Sequence, residues 1–257
     1  MILYFSGTGN SAHVAARLGD ELGETVCSIS AHDPSQMEFT GDRMVFVFPV
    51  YSWGVPPVVR KFISRLSASF LDQLRSRDAE IFMVCTHGDD AGLTAEMLRR
   101  DLSGKGLRLK GAWSVVMPNT YVALPGFDVD SPDLQREKLT AAEPRISQIA
   151  DAIRNGVEEE DVVRGSFAGI KTKLIYTFFM RFLTCTDKWR TGNSCTGCGK
   201  CARNCPVGNI EMTDGRPHWH DQCASCMACY HVCPIHTVNY GNRTKNKGQY
   251  YFGKNRY

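Results

Sequence analysis

The 257 residues contain no long apolar run. The strongest, Leu174 to Met180, falls far short of the roughly 20 residues that a membrane span needs. The opening Met1-Ile2-Leu3-Tyr4-Phe5 lacks a charged leader and meets Ser6-Gly7-Thr8-Gly9 at once, which predicts no secretory signal and a cytoplasmic protein. No Gly-Lys-Ser or Gly-Lys-Thr is present, and this excludes a Walker phosphate loop. Acidic residues are scarce in the second part of the chain. Residues 166–257 hold 4 Asp and Glu against 13 Lys and Arg, whereas residues 1–165 hold 23 against 17. The modest net charge of +3 therefore hides an acidic front and a basic back. Apolar residues make up 43% and charged residues 22%, which suits a folded protein and excludes wholesale disorder. The length predicts one large domain or two.

Cysteine is what the chain has in excess. Eleven in a chain expected to lack a leader argue for metal or redox chemistry rather than a disulfide framework. Cys27, Cys85 and Cys185 are scattered. The other eight form two matching runs, Cys195, Cys198, Cys201, Cys205-Pro206 and Cys223, Cys226, Cys229, Cys233-Pro234. Each reads C-x2-C-x2-C-x3-C-P, and the second repeats the first 28 residues on, with Ile210 and Val238 repeating at the same offset. Three cysteines at intervals of three can wrap one cubane cluster, while the fourth is carried away along the chain. Structural zinc uses pairs of C-x2-C and would leave the third cysteine superfluous. The runs resemble those of bacterial two-cluster ferredoxins, in which the fourth cysteine ligates the other cluster. That resemblance implies one [4Fe-4S] cluster on Cys195, Cys198, Cys201 and Cys233, and a second on Cys223, Cys226, Cys229 and Cys205. Two such clusters, each with a net charge of about −2, would offset about four of the positive charges around them, so no nucleic-acid partner is expected. His231, between ligands of different clusters, is placed to hydrogen-bond sulfur. Met212-Thr213-Asp214-Gly215-Arg216 predicts a hairpin turn.

The front part alternates. Short apolar strands are expected at 1–5, 25–30, 44–50, 80–87 and about 111–117. Helices are expected at 10–22, 56–68, 91–102 and 131–155. This is the pattern of βαβ units on a parallel sheet. Ser131-Pro132 marks a helix start, and Pro144 is expected to kink or break that helix. The first strand ends in Ser6-Gly7-Thr8-Gly9-Asn10-Ser11, and a helix follows at once. Such a turn offers backbone N–H groups to an anion, aided by the hydroxyls of Ser6, Thr8 and Ser11 and the amide of Asn10. Gly7-x-Gly9-x-x-Ala12 also matches a loose dinucleotide fingerprint, with Asp33 near the place of a ribose-binding acid. A later strand ends in Pro49-Val50-Tyr51-Ser52-Trp53-Gly54-Val55-Pro56-Pro57, which presents flat aromatics for a flavin ring. Another ends in Cys85-Thr86-His87-Gly88-Asp89-Asp90. All three loops fall at the carboxyl ends of strands, where doubly wound sheets bind ligands. Cys27 and Cys85 read as buried, inert thiols.

These residues resemble the flavodoxins, whose S/T-x-T-G-N-S/T loop binds the phosphate of FMN. The resemblance implies an α/β flavodoxin-like doubly wound parallel sheet of order 2-1-3-4-5. Ser6, Gly7, Thr8, Gly9, Asn10 and Ser11 would then take the phosphate. Tyr51, Ser52, Trp53 and Gly54 would flank the flavin, and Thr86, His87, Gly88 and Asp89 would form the third flavin loop. That loop has only His87 where flavodoxins usually carry an aromatic, so Tyr121, after Met117-Pro118-Asn119-Thr120, is expected to supply that face. Over nearly its whole length the chain is similar to the flavodoxin–ferredoxin fusion proteins common in anaerobes. The tail Val238-Asn239-Tyr240-Gly241-Asn242-Arg243-Thr244 shares their I-x-Y-G-x-x-T-like pattern. The expected organisation is an FMN domain at 1–165, an amphipathic connecting helix at 166–190, and a small α+β two-cluster ferredoxin domain with a basic tail at 191–257.

In the connection, Phe167, Ile170, Leu174, Ile175, Phe178, Phe179, Phe182 and Leu183 fall on one helical stripe. Packing between the domains is the favoured reading, and a basic amphipathic face for a membrane surface is the alternative. The acid-free tail Tyr240–Tyr257, with Arg243, Lys245, Lys247, Lys254 and Arg256, could wrap onto the acidic front or dock an acidic redox partner. The implied function is electron transfer between two [4Fe-4S] clusters and FMN. A reductase of a small oxidant and a ferredoxin with a flavin-free docking domain stand as alternatives.

Overall fold

The computed structural model describes residues 1–182, 184 and 186–253. Leu183, Cys185, Lys254 and Arg256 lie outside the described residues, as does the side chain of Phe182. Six strands, Ile2–Tyr4 (β1), Val26–Ser28 (β2), Arg43–Pro49 (β3), Glu80–His87 (β4), Leu109–Val116 (β5) and Glu160–Asp161 (β6), form one parallel sheet. Its order is β2-β1-β3-β4-β5-β6. The central strands are continuous apolar runs because helices cover both sheet faces. Successive side chains of β3 alternate between two cores. Phe46 and Phe48 pack towards Val59, Phe62, Leu71 and Leu98 of the helices Pro57–Ser64 (α2), Ala68–Ser76 (α3) and Thr94–Ser103 (α4). Val45 and Val47 pack towards Val14 and Leu18 of Asn10–Leu22 (α1), and Ile146, Ile149 and Ile153 of Pro132–Arg154 (α5).

Three details depart from the sequence expectation. The helix expected at 56–68 ends at Ser64, and a further helix not expected, α3, follows Ser67, which caps it by accepting a hydrogen bond from Phe70 N. A sixth strand, β6, extends the sheet through a Glu-Asp pair that carries no strand pattern. Helix α5 runs unbroken through Pro144. That proline faces solvent, where water can serve the carbonyl it leaves unpaired, and the buried Ala142, Ile146 and Ile149 hold the flanking turns down. Ser131 caps the same helix through Leu134 N, with Pro132 in the first turn.

The carboxyl-terminal part is built from two short antiparallel ladders. Trp189–Thr191 (β7) pairs with Val238–Tyr240 (β10), and Ile210–Thr213 (β8) pairs with Arg216–Trp219 (β9). Between β8 and β9, Asp214 and Gly215 both take positive φ (49° and 72°), as a two-residue hairpin turn requires. The 28-residue duplication is visible in the backbone. Left-handed residues recur as Gly197 and Ser225, Gly199 and Met227, Gly208 and His236. Short helices recur at Lys200–Arg203 and Ala228–His231.

The two halves share a core and a seam. Val122 and Ala123, from the loop after β5, are buried among Trp189, Tyr230, Val238 and Tyr240. A Cβ on Gly7 would lie 2.6 Å from Cys226 Cβ and 2.7 Å from Cys226 O, so the backbone of the first loop lies directly against that cysteine. The tail closes the seam. Phe252 N donates to Thr8 O and its ring stacks on His13, while Tyr250 Oη donates to Asn10 Oδ1. Gly7→Ala should therefore push the halves apart or strain both. Overpacking of this kind costs about 1–3 kcal/mol, and a lowered urea midpoint with unchanged cooperativity is the expected reading.

Candidate functional site

A cavity of about 280 Å³ opens at the carboxyl end of the sheet. It is lined by Ser6, Gly7, Thr8, Asn10 and Ser11 from the loop after β1, and by Tyr51, Ser52 and Trp53 from the loop after β3. Thr86, His87, Gly88 and Asp89 line it after β4, and Tyr121 after β5. Of the residues expected around a flavin, Gly9 and Gly54 do not line the cavity but sit behind it. Gly9 has φ 95° and starts α1, with Phe252 against its outer face. Gly54 leaves room for the Tyr176 ring, which would lie 2.6 Å from a Cβ there. Asp33 lies elsewhere, on an exposed turn where it accepts from Ser35 N. Cys85 is buried in the sheet core, and burial pushes its thiol up to about 12. Cys27 is half-buried rather than enclosed.

The loop after β3 presents its aromatics under strain. Ser52 and Trp53 both hold positive φ (45° and 65°), closed by reciprocal bonds between Tyr51 and Gly54 of 2.9 Å each. Left-handed non-glycine residues cost of order 1–3 kcal/mol each and persist where their surroundings hold them. Here the connecting helix does so. It runs as α over Ala168–Ile170, π over Lys171–Ile175 and α over Tyr176–Phe182. Thr172 Oγ1 donates to Trp53 O, Tyr176 Oη donates to Val55 O, and Lys171 Nζ lies 5.1 Å from the Trp53 ring centroid while pairing with Asp90 at 2.6 Å.

The loop after β5 is fixed by a buried ion pair. Lys138 Nζ meets Asp130 Oδ2 at 2.7 Å and donates to Gly88 O, while Asp130 accepts from Asn119 N and Nδ2. This holds Tyr121 at the cavity wall, in edge contact with Phe127 and Phe179. The Asn10 amide, expected to face an anion, is instead engaged with the protein. Its Nδ2 donates to Pro118 O and its Oδ1 accepts from Tyr250. Ser11 Oγ is 2.8 Å from Thr86 Oγ1.

The cavity fits a flat ligand with a polar edge. Tyr51 Oη and both ring nitrogens of His87 are buried with no hydrogen-bond partner among the described residues. Leaving such groups unpaired costs about 1–3 kcal/mol each. Aromatic faces together with unpaired buried donors and acceptors are what an isoalloxazine can use.

The eight cysteines lie in two groups. Cys195, Cys198, Cys201 and Cys233 line one small cavity. Burial, then the neighbouring charges of Cys223 and Cys205, pushes the Cys226 thiol up to about 12, and the same neighbours act on Cys229. Among the described residues no three His, Cys, Asp or Glu side chains are arranged to hold a single metal ion. Backbone N–H groups approach the sulfurs in duplicate. Asn209 N donates to Cys205 Sγ at 3.2 Å and, 28 residues on, Thr237 N donates to Cys233 Sγ at 3.4 Å. Such donors favour the thiolate that a cluster requires. The donor set fits iron–sulfur ligation. His231 has a different use from the one expected. It is fully buried, its Nε2 donates to Thr120 O, and its Nδ1 accepts from Tyr250 N.

A flavodoxin-domain family profile matches residues 1–121, and a 4Fe-4S dicluster-domain profile matches residues 194–238. Domain for domain, the chain is a flavodoxin–ferredoxin fusion. The pairing makes this fusion an iron–sulfur flavoprotein of electron transfer. No curated protein matches the fusion. Several solved structures are distantly similar, three of which serve as examples. These three are the Trp repressor binding protein from Bacillus subtilis (15% identity, 61% of this chain and 97% of that one, TM-score 0.40), the two-electron reduced flavodoxin of Megasphaera elsdenii (16%, 44% and 82%, 0.33) and the NAD(P)H:quinone oxidoreductase from Methanothermobacter marburgensis (16%, 60% and 93%, 0.35). No helix among the described residues is long and apolar enough to cross a membrane.

Among the lining residues hidden from sequence reasoning, two come from the ferredoxin side. Ser225 and Met227 flank Cys226 and line the flavin-loop cavity from the ferredoxin side. Their signal was present in the duplication, since the first copy places glycines at both positions.

His87 gives the cavity a pH signature. Burial lowers its pKa to about 4, against the pull of Asp90 and Asp89 and with the help of Lys138. Above pH 6.5 the imidazole is neutral both folded and unfolded. Between 6.5 and about 4 only the unfolded chain binds the proton, so stability falls as pH falls, by about 2 kcal/mol at pH 5. The urea midpoint should drop more between pH 7 and pH 5 for the wild type than for His87→Gln. Equal drops would show that the imidazole titrates normally.

Proposed function

We infer that the fusion holds two [4Fe-4S] clusters and one FMN and conducts electrons among them, so that single-electron carriers can serve a two-electron step. The observation that carries this reading is the seam. Cys226, a ligand of the second cysteine set, lies against Gly7 of the phosphate loop and lines the same cavity as Tyr51, Trp53 and His87. When bound, FMN exchanges one or two electrons and each cluster exchanges one.

The chain's own residues hold and shield these groups. The phosphate falls to the backbone of the loop at residues 6–11 with the Ser6 and Thr8 hydroxyls, at the start of α1. The ring falls to Tyr51, Trp53 and Tyr121, with the unpaired Tyr51 Oη and His87 nitrogens meeting its edge. The first cysteine set is the outer one. Cys198 is exposed, with Lys200 and Arg203 acting on its thiol and Arg203 donating to its carbonyl. Positive charge around an exposed ligand suits an acidic single-electron carrier, whose docking would weaken as salt rises. A second reading, reduction of a small oxidant at the flavin, is favoured by Leu124 and Phe127, which carry the cavity wall onto the loop at 118–130. Steady-state turnover with candidate oxidants, compared with electron exchange with a ferredoxin, separates the two.

Anaerobic purification should give about eight irons, eight sulfides and one FMN per chain. Cys226→Ala should lose about half of that iron and perturb the flavin spectrum, because one residue serves both sites. Full iron without flavin, even after FMN is added, would remove the flavin from the proposal and leave a ferredoxin with a docking domain.

A further inference from the structure

The largest feature that electron transfer leaves unused is the outer face of the connecting helix. Its inner face, Thr172, Tyr176 and Phe179, is buried and brackets the loop after β3. The apolar stripe read from the sequence mostly points the other way. Phe167 is 77% exposed, Ile170 56%, Leu174 67%, Ile175 42% and Phe178 54%. Packing between the halves therefore accounts for Phe179 and leaves five large apolar side chains in water. Exposed apolar clusters of this size mark an interaction surface.

Charge indicates what covers it. Residues 162–186 contain Arg164, Lys171, Lys173 and Arg181 and no Asp or Glu. Lys171 pairs with Asp90 and Arg164 with Glu96 and Glu160, and Lys173 and Arg181 also lie exposed beside the stripe. A second copy meeting this face about a two-fold axis would bring like charges together. The most exposed side chains, Phe167 and Leu174, stand out from the helix as knobs. We propose that this helix docks the protein on an anionic lipid surface, lying in the plane of the interface with Phe167, Ile170, Leu174 and Phe178 among the acyl chains and Lys173 and Arg181 at the headgroups. Apolar knobs beside cations are the composition of interfacial helices. The face is continuous with the cavity wall, since Ile175 and Phe127 are both exposed and both line the cavity. The docked protein would thus present that opening towards the membrane.

The test uses full-length holoprotein and sedimentation with vesicles of phosphatidylcholine alone or mixed in equal parts with phosphatidylglycerol. Binding should be about tenfold or more tighter to the anionic vesicles and should weaken as salt rises. The double variant Ile170→Glu, Leu174→Glu replaces only exposed side chains, and should lose vesicle binding while keeping its iron and flavin. Lys173→Glu should lose the preference for anionic vesicles. Failure to bind anionic vesicles would overturn the proposal, as would equal binding by the double variant. So would a dimer, seen by light scattering, that the double variant dissolves, because the face would then belong to a second copy.

Discussion

The close approach of Cys226 to Gly7 is the constraint on which the rest of the molecule depends. A backbone with a Cβ at position 7 would meet both the side chain and the carbonyl of Cys226 below 3 Å, distances that packed atoms do not tolerate. Glycine in a first-strand loop is usually read as freedom for an anion to approach the amides. Here its missing side chain also admits another part of the same chain. Once that contact is made, the second cysteine set becomes a wall of the flavin-loop cavity, and the loop after β5 must pass into the carboxyl-terminal core through Val122 and Ala123. The tail runs back over Gly9 and Thr8.

The duplicated half shows what this contact demands. Two copies of one unit share their left-handed positions, yet the copy facing away carries Gly197 and Gly199 while the copy at the seam carries Ser225 and Met227. A glycine occupies a left-handed well without steric cost and other residues do not. The strained copy is the one whose side chains line the cavity. Strain here coincides with a surface that needs side chains, as it does in the Ser52-Trp53 turn, which lines the same cavity.

Much of this was legible in the sequence, and the reasons are physical. The strands of the front half are short apolar runs separated by helical periods, and that pattern depends on burial alone. The eight cysteines repeat at a spacing that few structures other than paired clusters use. The loops after β1, β3 and β4 could be placed around one cavity because they follow consecutive core strands. What stayed hidden depended on tertiary contacts. β6 is a polar pair that becomes a strand only because β5 offers an edge. Helix α5 survives Pro144 because its buried face is anchored on both sides. The stripe of the connecting helix announced an apolar face but not its direction, because Thr172 and Tyr176, which anchor the helix, are not aliphatic. Asn10 matched an anion-binding motif by type, while its partners lie 108 and 240 residues away.

His231 shows how the parts are held as one. An imidazole with both nitrogens bonded has a fixed tautomer and orientation. Its Nε2 proton goes to Thr120 O beside the cavity, and its Nδ1 receives Tyr250 N from the tail, whose hydroxyl in turn reaches Asn10 at the start of α1. The residue itself sits between Cys229 and Cys233, which belong to different cysteine sets. A chain of four hydrogen-bonded groups therefore runs from the cysteine-bearing loops through the tail to the loop after β1 and on to Pro118. Buried networks of this kind are stable only when every member is satisfied. The tail, through Tyr250, is the piece that completes these links. Residues 248–253 thus close this side of the cavity through the bonds made by Tyr250 and Phe252.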